Sequence, residues 1–454
     1  LEAFSDNVIL SHAAGVGEPF ERSVVRGAMC LQLNMFLRGV SGVRPVVLEM
    51  LRDALNRDLV PVVPQQGSLG ASGDLAPLAH VWLVLSARIS TEDEARGGRG
   101  TAWYEGQLMP GAEAALRAGL VPPRLAAKEG LSAVNGTHFM SSMLSEVVWE
   151  AQRLARLADI AGAATAEALC SRSAAFQQAI HDLRPHPGQQ QSAANCRGLM
   201  AGSSLIDSQP EIVQDAYALR CMCQVHGAAR DLSAYAAGVA LVEINAVTDS
   251  PLLDERSDPL AFLSGGNFHG EPLGYAADAL CIALTGLSNI SERRTFRMVD
   301  HELNRGAPDF LVNRGGLHSG LMLTTYTATA LVSENKTHCY PASVDSIPSS
   351  RNQEDHVSMG LIATRKAARV LRNAKYVLAI EMLAACQLLD FRLRADAGSR
   401  LGSGTGAAYA RIRNVVPSLN RDRVQAIDIE SVLRVLDEED FIETIERAAG
   451  IELK

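Results

Sequence analysis

The sequence is poor in aromatic residues, and it has no strong excess of charge of one sign. Phe, Trp and Tyr together make up 5% of the 454 residues, whereas apolar residues make up 47%, with Ala and Leu abundant. This composition favours helices over sheets. The formal charge of −9 comes from interspersed acids and bases, so neither nucleic acid nor an anionic membrane is an expected partner. No uninterrupted apolar run approaches the ~18 residues of a membrane span.

The eight cysteines are too scattered for a disulfide framework. Most of them fall inside apolar helical patterns, which predicts reduced core residues of a cytoplasmic protein. Cys221 and Cys223 form the one close pair. A metal site there would need two further ligands at suitable spacing, and none is evident nearby, so we expect this pair to be structural.

The length of the chain exceeds what one hydrophobic core usually holds, which predicts two cooperating modules or a very elongated domain. Apolar residues recur at three- and four-residue steps in three stripes, which predict long helices packed side by side. These stripes are Leu144, Val147, Ala151, Leu154, Ala158 and Ala161; Leu273, Ala277, Leu280, Leu284 and Leu287; and Ala367, Leu371, Ala374 and Leu378.

Two segments outside these stripes have the composition of loops. The stretch from Pro185 to Pro210 is rich in Gly, Gln, Ser and Pro and predicts a long loop. The charged, glycine-rich stretch from Ser90 to Gly100 predicts an exposed turn. Residue 1 is a leucine within the pattern of a helix already under way, from which we expect further sequence upstream.

The run Gly67-Ser68-Leu69-Gly70-Ala71-Ser72-Gly73-Asp74-Leu75-Ala76-Pro77-Leu78-Ala79-His80 is the most informative part of the chain. If the amide nitrogen of Gly73 attacks the carbonyl of Ala71 and two waters leave, the tripeptide becomes a methylidene-imidazolone ring. Its exocyclic carbon, formerly Cβ of Ser72, is an electrophile. Composition alone favours a plain Gly/Ser turn, because Gly-Ser clusters mark loops far more often than cofactors. A serine-hydrolase elbow is excluded, because it needs glycines two residues on either side of the serine, and one of those positions holds Asp74.

The run resembles the signature of the ammonia-lyase and aminomutase family that acts on histidine, phenylalanine and tyrosine, and the likeness extends over essentially the whole chain. The resemblance implies a self-formed ring at Ala71, Ser72 and Gly73, with no metal and no dissociable cofactor. It also implies a mainly α fold: a smaller N-terminal module over residues 1–140 carries the electrophile loop, and an elongated central helical bundle with C-terminal helices covers residues 141–454. The expected assembly is a homotetramer whose active sites take residues from more than one chain.

Two polar motifs bear on the substrate. By itself, a lone His12 is more often structural than catalytic, but the resemblance makes it a substrate-selecting residue, because members that act on histidine carry Ser-His here. Glu354 lies in Asn352-Gln353-Glu354-Asp355-His356, which on its own indicates a helix N-terminus with solvated acids. Neighbouring residues of one helix cannot all point inward, so a metal site has little support. The resemblance makes Glu354 a catalytic residue that contacts an imidazole or assists proton transfer, since aromatic lyases usually have Gln.

The remaining candidates also take their roles from the resemblance. Asn135 is expected to hydrogen-bond the ring or the substrate carboxylate, and Phe268 to pack near the ring. Tyr217 and Arg220 lie one helical turn apart, and a guanidinium is the natural bidentate partner of an α-carboxylate. Arg220 is therefore the expected carboxylate anchor, with Gln214 and the catalytic candidate Tyr217 in the same pocket. Met322 stands where the lyase of thiol-modified histidine has lysine, which disfavours that substrate.

The favoured prediction is elimination of ammonia from L-histidine to give urocanate. One alternative is a tyrosine or phenylalanine ammonia-lyase or 2,3-aminomutase, which the run from Gly316 to Gly320 and the tail after Val416 also resemble. The other is a catalytically inactive helical scaffold. Members of the family carry their base in a Tyr-Gly-x-x-Thr-Gly-Phe-Gly loop upstream of the Ser-His motif, and the 454 residues contain no such run. We therefore expect either a missing upstream segment or a protein unable to perform the full reaction.

Overall fold

The structure, a computed structural model, describes residues 2–87 and 98–454, and it is mainly helical, as predicted. The predicted turn from Ser90 to Gly100 lies for the most part outside the described residues. The α-helices are Glu2–His12, Arg22–Phe36, Pro45–Asn56, Leu75–Leu85, Gly111–Arg117, Glu129–Val134, His138–Ala168, Gln178–Asp182, Pro187–Leu199, Tyr217–Arg220, Met222–Glu243, Glu271–Val299, Met322–His338, Gly360–Ala395, Ser403–Arg413, Gln425–Asp437 and Phe441–Ala449.

The three apolar stripes form the buried faces of the three longest of these helices. They belong to His138–Ala168, Glu271–Val299 and Gly360–Ala395, and every stripe residue is buried. Burial of one Leu side chain contributes about 1.5–3 kcal/mol, and the alanines between the leucines allow neighbouring helices to approach closely. The helices predicted from the periodicity are therefore confirmed.

By length and composition, the helix Glu271–Val299 could cross a membrane. However, 67% of its most apolar stretch is buried inside the protein. Such burial is typical of a core helix in a soluble protein.

The contacts group the chain into two compact units. The first contains Leu1–Val148, Ala236–Asp278 and Pro341–Ala368. It holds three small antiparallel sheets: Val16–Pro19 with Pro64–Gln66; Val60–Pro61 with Thr101–Tyr104 and Gln107–Pro110; and Leu252–Asp254 with Ala261–Leu263. The division after residue 140 remains a prediction, and this grouping adds two later segments to the first unit.

The second unit contains Trp149–Tyr235, Ala279–Tyr340 and Arg369–Lys454. Here the predicted loop from Pro185 to Pro210 is wrong over residues Pro187–Leu199, which form a helix with proline in its first turn, whereas residues 201–210 form turns and irregular structure, as predicted. Some polar side chains of this helix are buried and paired instead. Ser192 and Asn195 donate to Asp159 over 2.6 and 2.8 Å.

Asp159 belongs to a buried polar network in this unit. It also contacts His226 at 2.7 Å and Arg230 at 2.5 Å. Burial opposes its ionisation, but Arg230 and then His226 outweigh that effect and hold the pKa of Asp159 well below its usual range. Arg294 extends the network by contacting both His226 and the fully buried Glu381. We define the buried ionic network as these five residues.

The cysteines are all free thiols. Five of them are buried, as predicted, whereas Cys221 and Cys339 are half-buried and Cys30 is exposed. The prediction of core positions is therefore wrong for Cys30, which lies on the outer face of the helix Arg22–Phe36.

Candidate active site

The backbone around Ala71, Ser72 and Gly73 is held in an unusual conformation. Gly70, Ser72 and Gly73 have φ angles of 91°, 53° and 81°, the left-handed region that costs a residue with a side chain about 1 kcal/mol or more. Ser72 occupies this region although it has a Cβ. Ala71 and Gly73 are buried, while Ser72 is half-buried. This segment, residues 67–74, is called the electrophile loop below.

Backbone hydrogen bonds explain how the electrophile loop keeps this conformation. The amide of Gly136 donates to the carbonyl of Ser72 over 3.1 Å, and the amide of Asp74 donates to the carbonyl of Gly136 over 2.8 Å. A Cβ on Gly73 would lie 2.3 Å from the carbonyl oxygen of Gly136, far inside van der Waals contact. Gly73 is therefore required by this close approach as well as by its φ angle.

Asp74 fastens the end of the loop to the start of the helix His138–Ala168. Its Oδ2 accepts the backbone amides of Phe139 and Met140, each over 2.9 Å. Full burial raises the pKa of Asp74 to about 7, although these two hydrogen bonds act in the opposite direction. No role for Asp74 was predicted from the sequence, although its position directly after Gly73 was an available signal.

The loop borders a cavity of about 250 Å³ in the first unit. Its lining brings together Ala71, His12 and Glu354, three of the residues singled out from the sequence, and adds Ser11 and Ser349. The imidazole Nδ1 of His12 lies 3.0 Å from the hydroxyl of Ser11, at the end of the helix Glu2–His12. One pocket thus combines the loop with an imidazole and a carboxylate.

Glu354 is held by a short irregular segment. Its Oε2 accepts the hydroxyl of Ser349 over 2.7 Å, and its carbonyl accepts the amide of the same residue. The expected helix N-terminus is wrong: residues Ser350–Asn352 form one 3₁₀ turn with positive φ angles, and Glu354 lies in an isolated bridge beyond it. This turn directs one carboxylate into the cavity while Asp355 remains exposed.

Asn135 lies next to Gly136 and is buried, but it does not line the cavity. Its Nδ2 donates to Asp249 over 3.0 Å and to the carbonyl of Ser250 over 2.7 Å. Its Oδ1 has no hydrogen-bond donor within the part of the chain that the structure describes. The free acceptor is therefore the group that Asn135 can offer to a ligand or a water molecule.

Three predicted residues form a cluster in the second unit. Arg220 donates to Gln214 and lies over the ring of Tyr217 at 4.8 Å from its centroid. Gln214 and Tyr217 are exposed, and none of the three lines the cavity that contains Ala71. The short helix Tyr217–Arg220 does place the tyrosine and the arginine on one face.

The last two candidates lie elsewhere. Phe268 is half-buried in the turn that precedes the helix Glu271–Val299 and does not line the cavity with Ala71. Met322, in the second unit, begins the helix Met322–His338 and lines a different cavity of about 410 Å³ with Phe296 and Tyr326.

His80 stabilises the backbone next to the cavity, a role that was not predicted from the sequence. Its Nε2 accepts the backbone amide of Gly15 over 3.1 Å, so it fixes the turn that follows His12. Burial lowers the pKa of His80, which favours the neutral ring that this acceptor role requires. His80 occurs at the end of the motif run, but its partner is 65 residues away and could not be inferred from spacing.

Comparison with known proteins decides the family. The sequence profile described as "Aromatic amino acid lyase" matches residues 1–414. The chain belongs to the aromatic amino acid lyase family. Two relatives in this family are the histidine ammonia-lyases of Gloeobacter violaceus, 50% identical over 99% of this chain and 85% of that protein, and of Alkaliphilus metalliredigens, 47% identical over the same shares.

Solved structures of aromatic amino acid lyases and related aminomutases share the fold. A histidine ammonia-lyase from Trypanosoma cruzi is 38% identical, with a TM-score of 0.89 over 99% of this chain and 82% of that one. A tyrosine aminomutase from Streptomyces globisporus has the same sequence identity to this chain, 38%, with a TM-score of 0.90 over 99% of this chain and 86% of that one. The overall fold therefore does not separate the two activities.

Proposed function

We propose that this protein is a histidine ammonia-lyase, which converts L-histidine into urocanate and ammonia. The observation that carries the proposal is the cavity in which Ala71 of the electrophile loop lies with His12 and Glu354. An imidazole ring carries one donor and one acceptor in its neutral form, and these two side chains can satisfy both. The similarity to curated histidine ammonia-lyases adds support.

The residues of the loop fit a self-formed methylidene-imidazolone. Gly73 has no Cβ where one would meet the carbonyl of Gly136, and Ser72 already holds the left-handed conformation of a tight turn. Once formed from Ala71, Ser72 and Gly73, the ring supplies an electrophilic carbon that engages the substrate amine or its aromatic ring. No metal is needed for this chemistry.

The other residues bind and orient the substrate. His12 selects the imidazole, and Glu354 either contacts it or assists proton transfer. Arg220 pairs with the α-carboxylate through two parallel hydrogen bonds, with Gln214 and Tyr217 in the same pocket. Asn135 bonds the ring or the substrate carboxylate, Phe268 packs near the ring, and Met322 disfavours a thiol-modified histidine. In the reaction the Cβ–H and Cα–N bonds break, a C=C bond forms, and ammonia leaves.

We propose further that the active enzyme is a cytoplasmic homotetramer whose sites draw residues from more than one chain. Tyr217 is 70% exposed, and neither it nor Arg220 lines the cavity with Ala71. An arginine that must hold a carboxylate next to the loop would reach it if another copy of the chain supplied it.

A tyrosine or phenylalanine ammonia-lyase or 2,3-aminomutase is the second candidate, because the fold matches a tyrosine aminomutase as well as it matches a histidine ammonia-lyase. The test is to incubate the complete natural chain with equal L-histidine, L-tyrosine and L-phenylalanine and to identify each product by mass spectrometry. Dominant urocanate supports the proposal. A cinnamate-type acid or a β-amino acid as product would instead support the second candidate. The absence of any product would favour an inactive scaffold.

The variant Glu354→Gln tests the assignment of the carboxylate. It should reduce kcat/KM for histidine by about 100-fold, the lower range for a lost general acid or base. Asp355→Asn is the matched control, because it removes a neighbouring carboxylate that is exposed and does not line the cavity. Equal activity of both variants would show that Glu354 has no role in catalysis.

A further inference from the structure

His138 is a buried histidine next to the electrophile loop. It is the first residue of the helix His138–Ala168, it lies in the first unit, and 3% of its surface is exposed. A Cβ built on Gly136 would lie 2.5 Å from Cε1 of His138 and 3.0 Å from its Nδ1. The imidazole therefore packs directly against the backbone of Gly136.

Gly136 connects this imidazole to the electrophile loop. Its amide donates to the carbonyl of Ser72 over 3.1 Å, and its carbonyl accepts the amide of Asp74 over 2.8 Å. The hydroxyl of Thr248 would lie 2.7 Å from the same Cβ, so His138 and Thr248 together enclose Gly136. A displacement of the imidazole would therefore move Gly136 and, with it, the hydrogen bond to Ser72.

Stability alone does not explain an imidazole at this position. Neither ring nitrogen of His138 has a hydrogen-bond partner within the described residues. Burial lowers the pKa of His138 to about 4, although the charge of Asp249 acts in the opposite direction, so the ring is neutral at neutral pH. Asp249 is itself paired with Lys128 over 2.9 Å. Burial of unpaired nitrogens costs stability, and an apolar side chain of similar size would avoid that cost.

Formation of the proposed ring develops charge on the carbonyl of Ser72. The nitrogen of Gly73 bonds to the carbonyl carbon of Ala71, whose oxygen leaves as water with the amide protons of Gly73 and Ser72. Ser72 then loses its Cα proton and its Cβ hydroxyl as the second water, and a C=C bond forms. As the Cα–H bond breaks, negative charge develops on the carbonyl oxygen of Ser72. The amide of Gly136 already donates to this oxygen, and such a donor stabilises the developing charge.

We propose that His138 is a positioning residue for ring formation: its flat side chain holds Gly136 so that the Gly136 amide stays aimed at the carbonyl of Ser72. A misplacement of about 1 Å can reduce the rate of a reaction about 100-fold, so a small shift of Gly136 would be enough to slow ring formation. This inference rests on the proposed function, because it assumes that Ala71, Ser72 and Gly73 form the ring.

The test follows ring formation in the complete natural chain by mass spectrometry. The protein is made in a short pulse of synthesis, and the mass of the peptide that contains residues 71–73 is measured at intervals until it lacks two waters. His138→Leu removes the unpaired nitrogens, so its Tm should be at least that of the unmodified protein. Its branched side chain does not keep the flat contact with Gly136, so the loss of two waters should be at least about tenfold slower.

His138→Gln is the conservative variant, because it keeps a flat, neutral polar group, and it should form the ring at close to the unmodified rate. His138→Ala should slow ring formation as His138→Leu does, and it keeps the test available if His138→Leu does not fold. The matched control is His181→Ala in the second unit, which removes a buried histidine whose two ring nitrogens both have partners. This control should lower Tm without slowing the loss of water.

The possible outcomes separate this inference from the proposed function. Ring formation at the unmodified rate in His138→Leu and His138→Ala would overturn the inference and leave the proposed function standing. Rates that fall only in proportion to Tm across the variants would show a structural role and would also overturn it. If the unmodified protein itself never lost two waters, the proposed function would fail, and this inference would fail with it.

Discussion

The electrophile loop and the buried ionic network are held in place by different means. The loop is fixed by backbone hydrogen bonds of Gly136 with Ser72 and Asp74 and by the carboxylate of Asp74, and part of it borders a cavity. The network of Asp159, His226, Arg230, Arg294 and Glu381 is fixed by charged side chains that are almost completely buried. The first region stores local strain where chemistry is expected, while the second uses paired charges to position helices.

The two regions should therefore respond differently to substitution. In the loop, the backbone itself becomes the reactive group, so a change of one atom can prevent the chemistry. No reacting group is proposed in the network, so a substitution there should mainly lower the free energy of unfolding. Each of the following substitutions tests this separation between chemistry and stability.

Gly73→Ala should have the largest effect, because the new Cβ would lie 2.3 Å from the carbonyl of Gly136 at a φ of 81°. We expect the ring not to form and turnover to be abolished. The measurement is the mass of the peptide that contains residues 71–73, which should no longer lack two waters. Gly106→Ala is the control, since Gly106 has a φ of 74° but no atom within 4 Å of a Cβ. If Gly73→Ala still lost two waters, the close approach to Gly136 would not govern ring formation.

Asp159→Ala should destabilise the protein by about 3–5 kcal/mol, because Arg230 then remains buried without its carboxylate partner. The free energy of unfolding in urea measures this loss. Glu113→Ala provides the comparison, since it breaks the exposed pair with Arg117 one helical turn away and should cost no more than about 0.5 kcal/mol. Similar costs for the two variants would mean that the network does not position helices.

These two regions also explain how much of the fold the sequence predicts. Apolar periodicity located the long helices correctly, because their buried faces repeat at helical spacing. It failed for the helix Pro187–Leu199, whose buried face mixes polar with apolar side chains. Ser192 and Asn195 are buried only because Asp159 accepts their hydrogen bonds. The partners lie more than 30 residues apart, with separations of 33 and 36, so no local pattern could reveal them.

The site shows the same limit. The motif around Ala71 identified the loop, and the cavity joins it to His12 and Glu354, which were named from the sequence. Asp74 and His80 were missed, because their roles depend on contacts with Met140 and Gly15 across the fold. A local sequence motif identifies residues that the chemistry requires. Residues that hold the site in place through hydrogen bonds to distant segments are identified only from the folded structure.

A buried carboxyl group outside the network, Glu167, behaves like Asp74 of the loop. Burial raises the pKa of Glu167, in the second unit, to about 7, as it does for Asp74. Glu167 accepts the amide of Gly402 and the hydroxyl of Thr405. Because its pKa is raised on folding, its contribution to stability is complete below its ordinary pKa of 4.5 and is lost as the pH rises to about 7.

Glu167→Gln should remove this dependence. The fall in unfolding free energy between pH 4.5 and pH 7 should then be smaller than in the unmodified protein by roughly 3 kcal/mol. Urea denaturation at several pH values measures it, and Asp74→Asn should flatten the same range. Identical pH profiles for Glu167→Gln and the unmodified protein would show that burial does not raise this pKa.

The smallest expected effects come from a matched pair of serine substitutions. Ser349 donates to Glu354 over 2.7 Å beside the cavity, and Ser192 donates to Asp159 over 2.6 Å in the network. Each alanine variant loses one hydrogen bond to a charged group, worth about 1.5–3 kcal/mol before neighbours compensate. Ser349→Ala should lower kcat/KM for histidine about fivefold to tenfold with little change in stability, since about 1.4 kcal/mol is tenfold in rate. Ser192→Ala should lower the unfolding free energy by about 1–2 kcal/mol with little change in kcat/KM. If both variants lost activity and stability in the same proportion, the two regions would not be separable, and the network would have to be counted as part of the catalytic apparatus.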